Sequence, residues 1–264
     1  MAHTGEMWNK RHPAQHISAE KLAQQHDPEV IRRRLEKPRP NSGVQDAVLG
    51  AIDGCVTTFA IIAAAHASGL PGGVIVLLGL ANLLADALSM AVSNYNAVHT
   101  LNAEIESARR TEQSHIDRIP EGEREEIRQI FAAKGFGGEA LEHVVSVITA
   151  DRNVWINTML REELGLQPSP ASPLRASMAT FGAFLIAGAI PLSPFFISVW
   201  PLHWRFPLSA LLGAVTFFAI GLLRGRVFGQ RPLRTATVTL VTGGAAAAVA
   251  YVVGVIGARL NGSS

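Results

Sequence analysis

Cysteine is nearly absent: Cys55 stands alone in 264 residues. A single cysteine excludes an internal disulfide framework and a thiolate metal cage. Basic residues are missing from 41–99, whose only acids are Asp46, Asp53 and Asp86. Acidic residues are missing from 164–264 altogether. A soluble domain intersperses charge to cover its surface, so this segregation argues against one. The long polar start (residues 1–41) has no early apolar core and no cleavage site, so no secretory signal is expected. No basic patch with interleaved aromatics appears, which removes the basis for a nucleic-acid partner.

What is present is apolar and long. Five runs each approach the ~20 residues needed to cross ~30 Å of hydrocarbon. They lie at 44–66, 73–98, 174–199, 207–223 and 235–256. Gly and Ala are frequent in them, which lets helix backbones approach closely. Pro191 and Pro194 are expected to kink the third run. Cys55 reads as a small apolar residue of the first. His66 and His99, near run ends, read as snorkelling or interfacial residues, and Trp200 and Trp204 as an interfacial belt.

The remaining charge falls into two segments. Residues 1–40 hold five acids and eight bases. A helix from Ser18 to Leu35, capped by Ser18 and resting Arg32, Arg33 and Arg34 on anionic headgroups, is one reading; a partly ordered tail is the other. Residues 100–170 hold 13 acids and eight bases, a net charge of −5. Helices are expected at 98–118, 120–134, 138–149 and 151–164. Pro120 suits a first turn, Gly135, Gly137 and Gly138 separate the second from the third, and Asp151 suits an N-cap. No breaker lies between Met90 and Arg118, so the second span and the first of these helices should be continuous. Loop charges then set the sides. Arg and Lys flank the first span and lie between the fourth and fifth (Arg224, Arg226, Arg231, Arg234), but are absent from 67–72. By the positive-inside rule, the N-terminus and the acidic insert are cytosolic.

The fold class expected is therefore all-α. It is a polytopic membrane protein of five transmembrane helices, with a cytosolic helical metal-binding domain inserted between helices two and three. The divisions are a tail at 1–43, spans one and two at 44–99, the insert at 100–170 and spans three to five at 171–264.

Two sets of residues carry chemistry. A carboxylate in hydrocarbon costs several kcal/mol, so Asp53 and Asp86 call for a cavity or a partner, and an ion or proton path is the first explanation. Asp53 lies roughly 14 Å into span one at ~1.5 Å per residue. Asn82, Asp86 and Met90 recur every four residues on one face of span two, where amide, carboxylate and thioether make a cation relay. Interhelical hydrogen bonding by Asn82 and Asp86, with Met90 as packing, is the plainer alternative. In the insert, Glu112 and His115, Glu123 and Glu126, and Met159 and Glu163 form pairs three or four apart. If the helices bundle, the pairs converge on a divalent ion. Carboxylate and imidazole suit Fe²⁺, Mn²⁺, Co²⁺ and Zn²⁺, and a thioether disfavours Ca²⁺ and Mg²⁺. Solvated faces paired with Arg109, Arg124 and Arg128 are the alternative.

These residues resemble the vacuolar iron transporter family over about 44–257. The resemblance rests on Asp53-Gly54 and on Gly79-Leu-Ala-Asn-Leu-Leu-Ala-Asp86-Ala-Leu-Ser89-Met90, followed by Tyr95. It also rests on Trp155 through Met159 to Glu163-Leu164-Gly165-Leu166, on Ile190-Pro191-Leu192 and on Arg231-Pro232-Leu233-Arg234. It implies a homodimer with the path between the two copies of helices one and two, and proton-coupled export of Fe²⁺ from the cytosol. It places transport roles on Asp53 and Met90, and metal binding on Glu112, His115, Glu123, Glu126, Met159 and Glu163. Plant members carry Glu at Asn82 and His115, and Met at Leu160; a nitrogen ligand at His115 raises affinity for Zn²⁺, Co²⁺ or Ni²⁺.

The function expected is thus a transporter, not an enzyme. It moves Fe²⁺, and secondarily Mn²⁺, out of the cytosol in exchange for protons, with no prosthetic group. Its partners are divalent metal, protons, the lipid bilayer and a second copy. A bacterial inner membrane is favoured over a vacuolar one. The rival readings are a membrane-tethered di-iron ferroxidase, for which Glu112-x-x-His115 supplies one of two required motifs, and a metal sensor.

Overall fold

The computed structural model describes residues 23–36, 42–167, 172–196 and 201–261. It divides into two units, residues 1–40 and 41–264. In the first, the single helix expected from Ser18 to Leu35 is interrupted. Ser18 lies outside the described residues; a helical turn at 23–25 ends at His26, and α1 (Pro28–Glu36) begins afresh. Pro28 disfavours helical geometry at Asp27. The Asp27 Oδ1 accepts the Glu29 N–H at 3.0 Å, which opens the new helix.

The second unit contains α2 (Ser42–Ala67), α3 (Gly72–Arg118), α4 (Pro120–Ala133), α5 (Gly138–Ala150), α6 (Arg152–Glu162), α7 (Pro173–Phe196), α8 (Leu202–Val227) and α9 (Pro232–Asn261). Among the described residues, five of these are long and apolar enough to span a bilayer: α2, α3, α7, α8 and α9. Their outward faces are apolar, with Leu77, Ile186 and Val241 exposed by 66, 71 and 68%. Such a surface associates or aggregates in water and is at home in lipid. The chain is an all-helical, multi-pass membrane protein.

The expected continuity of α3 holds. Its 47 residues run about 70 Å at ~1.5 Å each, more than twice the hydrocarbon thickness. The span expected at 207–223 begins earlier, at Leu202, and passes through Pro207. Helix α7 likewise runs unbroken through Pro191 and Pro194. The Ile190 carbonyl, which Pro194 cannot serve, accepts the Ser193 hydroxyl at 2.8 Å. The Pro191 carbonyl accepts the buried Ser209 hydroxyl of α8 at 2.6 Å.

Helices α2 and α7 form the most extensive pair. Gly50 and Gly54 make this possible, since a Cβ at either would collide with the α7 carbonyl oxygens of Thr180 and Phe184. The apolar core beside them gathers Cys55, Phe59, Ala187 and Phe217. His66 lies next to the last residue of α2. It is half-buried and stacks on Phe206 of α8, ring centroids 4.1 Å apart, because the facing helix offers an aromatic surface there.

Beyond the hydrocarbon length of α3, helices α4 and α6 pack on its C-terminal end, and α5 packs on both of them. Their core is Ile116, Ile127, Val145, Trp155, Ile156, Met159 and Leu160. The turn at Ile119 (φ −137°, ψ 54°) ends α3, and Pro120 opens α4. Asp151 caps α6 as its sequence position predicts, accepting the N–H groups of Asn153 and Val154 at 2.8 and 3.1 Å.

Candidate metal centre

The reversal at Ile119–Pro120 folds the first turn of α4 back against the last turns of α3. It brings Glu112, His115 and Glu123 together, each offering a ligand atom within 4.8 Å of the others. His115 Nδ1 lies 3.2 Å from Glu123 Oε1. Glu112 and Glu123 are only 4% and 1% exposed, whereas His115 opens to solvent. The Oε2 of each buried glutamate has no hydrogen-bond partner.

Burial is the main reason the Glu112 carboxyl is pushed above the usual carboxylate range, with Glu123 adding to it and His115 opposing it. Burial also raises Glu123, helped by the charge of Glu126. The nearby arginines do not relieve this crowding. Arg109 donates to Asn157 at 2.7 Å, Arg124 pairs with Glu121 at 3.5 Å, and Arg128 serves Glu125 and Glu142. Glu123 Oε1 meets the His115 imidazole, but the Oε2 of each glutamate stays unsatisfied; a buried carboxylate oxygen without a partner is costly, and a divalent cation would remove that cost.

The other three residues expected here are placed differently. Glu126 is exposed yet near enough to act electrostatically on both buried glutamates. Glu163 is exposed too; burial raises its carboxyl, followed by the charges of Glu112 and Glu126. Met159 is fully buried in the apolar core of α4–α6. One further polar group stands out: the buried Trp155 Nε1–H lacks a partner, with the Arg124 guanidinium 5.9 Å from the ring centre.

Within the spans, Asn82 Nδ2 donates to Asp86 Oδ2 at 2.8 Å, so the four-residue spacing does bring amide and carboxylate together. Asp53 on α2 and Asp86 on α3 are both half-buried. Met90 is half-buried and packs with Leu83, Ala87 and Phe184. A second polar group lies one step away, at Asp46, Asn94 and Thr180, and sequence reading gave it no role. Asp46 is visible in the sequence as one of three acids in 41–99, but Asn94 and Thr180 join it only through the tertiary fold.

The profile of the VIT family matches residues 44–255. The chain belongs to the VIT family. A vacuolar iron transporter of Toxoplasma gondii is 30% identical over 232 residues, covering 83% of this chain and 77% of that protein. Vacuolar iron transporter 1 of Tulipa gesneriana is 30% identical over 212 residues, 79% of this chain and 84% of the relative. Vacuolar iron transporter 1 of Arabidopsis thaliana is 28% identical over 209 residues, 79% and 83% of the two chains. In this VIT family chain, Asn82 is committed to Asp86, His115 stands in the three-residue cluster, and Leu160 is fully buried in the α4–α6 core.

Proposed function

We propose that the protein exports divalent metal from the cytosol in exchange for protons, with Fe²⁺ as first substrate and Mn²⁺ as second. The α4–α6 segment is its cytosolic metal-collecting domain. The cluster of Glu112, His115 and Glu123 carries this reading, because two buried carboxylates, each with an unpartnered oxygen, meet an imidazole on the helix that also bears Asp86. Relatives named for iron transport support the choice of Fe²⁺. Glu126, Met159 and Glu163 complete the collecting site as the metal loads.

In this mechanism, metal gathers at the cytosolic end and passes along α3 toward Asp53, Asp86 and Met90. A second copy of the chain completes the path. Carboxylates set in apolar spans favour a bound cation or a proton over the bare charge. Metal leaves when the acidic side supplies protons, because ligand carboxylates bind metal only when deprotonated.

The test is Fe²⁺ flux into liposomes under a pH gradient. Gradient-driven flux that disappears in Asp53→Asn is expected. Flux indifferent to the gradient would replace the antiporter with a uniporter. Absence of flux for Fe²⁺ and Mn²⁺, with oxygen consumed on Fe²⁺ addition, would favour a ferroxidase instead.

A further inference from the structure

Helices α8 and α9 meet in a tight reversal at residues 228–231. Gly229 takes φ 64°, a conformation that favours glycine, and the Gln230 N–H returns to the Gly225 carbonyl at 2.9 Å. The two backbones touch there, since a Cβ on Gly225 would lie 2.6 Å from the Pro232 Cα. The tip is therefore a fixed platform. It carries Arg224 and Arg226 at the end of α8, Arg231 in the turn and Arg234 in the first turn of α9, all exposed.

These four guanidiniums differ from those of the acidic insert. Arg110, Arg124, Arg128 and Arg152 each face a carboxylate within 3.5 Å. At the tip no such partner is available. Residues 164–264 contain no Asp or Glu, and among the described residues none of the four side chains makes an ion pair or a hydrogen bond. Four like charges within residues 224–234 repel one another, so their counter-charge comes from outside the hairpin. The surroundings decide which anion fits. The spanning stretches of α8 and α9 are 25 and 29 residues, about 37 and 43 Å at ~1.5 Å each. Both exceed ~30 Å of hydrocarbon, so the shared tip reaches the headgroup layer. Phe206, near the start of α8, stacks on His66 at the end of α2, so the tip lies on the side where α2 begins. Leu223, Phe228 and Leu233 stand beside the arginines in the chain and are exposed by 53, 38 and 69%. A soluble anion would satisfy the guanidiniums and leave these apolar side chains in water. A phospholipid covers both, with phosphate on the arginines and acyl chain on the apolar surface.

We propose that the α8–α9 tip is a binding site for an anionic phospholipid, whose headgroup phosphate is held by Arg224, Arg226, Arg231 and Arg234. Guanidinium suits this ligand better than ammonium would, because its planar fork donates two parallel hydrogen bonds to one phosphate. The lipid site stands apart from the Glu112 cluster and is independent of whether metal is moved.

The test uses the full-length protein in detergent supplied with equal amounts of phosphatidylglycerol and phosphatidylcholine. Lipid retained through purification is extracted and counted by mass spectrometry. Phosphatidylglycerol is expected to be enriched about tenfold or more over phosphatidylcholine. Changing Arg224, Arg226, Arg231 and Arg234 together to Gln brings the ratio to within about twofold of parity. Arg259→Gln, in the last turn of α9 at the opposite end, leaves it unchanged. Excess inorganic phosphate fails to displace the lipid; displacement would make the tip a site for a free anion and overturn the lipid assignment. Should the fourfold variant fail to give monodisperse protein, the wild type decides through salt, its enrichment falling about fivefold or more between ~0.05 and ~0.5 M NaCl. A wild-type ratio near parity, an enrichment that survives in the fourfold variant, or one that salt leaves untouched would each overturn the proposal.

Discussion

At the scale of single residues, Glu123 separates a structural role from a binding one. It is 1% exposed, has an unpartnered Oε2, and lies beside another buried carboxylate. A structural glutamate in that position would be satisfied, and its removal would destabilise the fold. A ligand glutamate held ready for metal is instead a source of strain in the metal-free protein. Glu123→Gln is therefore expected to stabilise the metal-free α4–α6 segment by about 1–2 kcal/mol while abolishing tight Mn²⁺ binding. Denaturant melts with and without chelator read both effects, and destabilisation without metal would return Glu123 to the structural role. His115 tests selectivity. His115→Glu is expected to lower Co²⁺ and Zn²⁺ affinity relative to Mn²⁺ by about tenfold, ~1.4 kcal/mol, because imidazole suits the former and carboxylate the latter. Competition titrations check it, and an unchanged ratio would remove His115 from the ligand set.

At the scale of elements, legibility followed local signals. The extent of α3 could be read because nothing between Met90 and Arg118 breaks a helix, and α4 and α6 because Pro120 and Asp151 mark their starts. The break at Asp27 could not be read from periodicity, though Pro28 was the cue. At α8 the helix starts ahead of the apolar run, at Leu202, and passes through Pro207. That residue forfeits one hydrogen bond near the start of α8, and tertiary packing outweighs the loss. Of the candidate metal residues, spacing identified Glu112 with His115, but only the reversal at Ile119 adds Glu123. The partners of Asp46 are 48 and 134 residues away in sequence, out of reach of any local pattern. The same tertiary closeness makes the α2–α7 seam brittle. Gly54→Ala sets a Cβ against the Phe184 carbonyl, where backbone rather than a flexible side chain must move. A loss of at least about 2 kcal/mol is expected, seen as a lower melting temperature in detergent. Gly182→Ala, with open space around it on the neighbouring helix, is the control and should fold normally. Equal tolerance of both substitutions would contradict the close α2–α7 approach.

At the scale of the whole molecule, protons and metal compete for the same carboxylates, and the sign of that competition can be worked out. In the folded, metal-free protein Glu112, Glu123 and Glu163 all sit above the usual carboxylate range, with burial the leading cause in each. Folding therefore takes up protons at these sites. Their contribution to stability is least favourable above the raised values, and the penalty fades as pH falls toward the ordinary glutamate value near ~4.3. Exposed ion pairs pull the other way: Asp117 is lowered by Arg152, Glu125 by Gln129 and Arg128, and Glu142 by Arg128. Those pairs are solvated, contribute little, and are the same with or without metal. Two differences cancel them. The advantage of Glu123→Gln over wild type in chelator should grow as pH rises from about 4.5 to 7 and vanish at the acidic end. The stabilisation conferred by Mn²⁺ on wild type should grow over the same window, since each ligand carboxylate freed of its proton is available to the ion. Amide hydrogen exchange across α4–α6, run with chelator and with Mn²⁺ at several pH values, measures both. A Mn²⁺ effect that is flat with pH would mean that the raised carboxylates are not the ones holding the metal. A rising one would assign collection at neutral pH to these glutamates and leave release at the acidic face to the carboxylates of the spans.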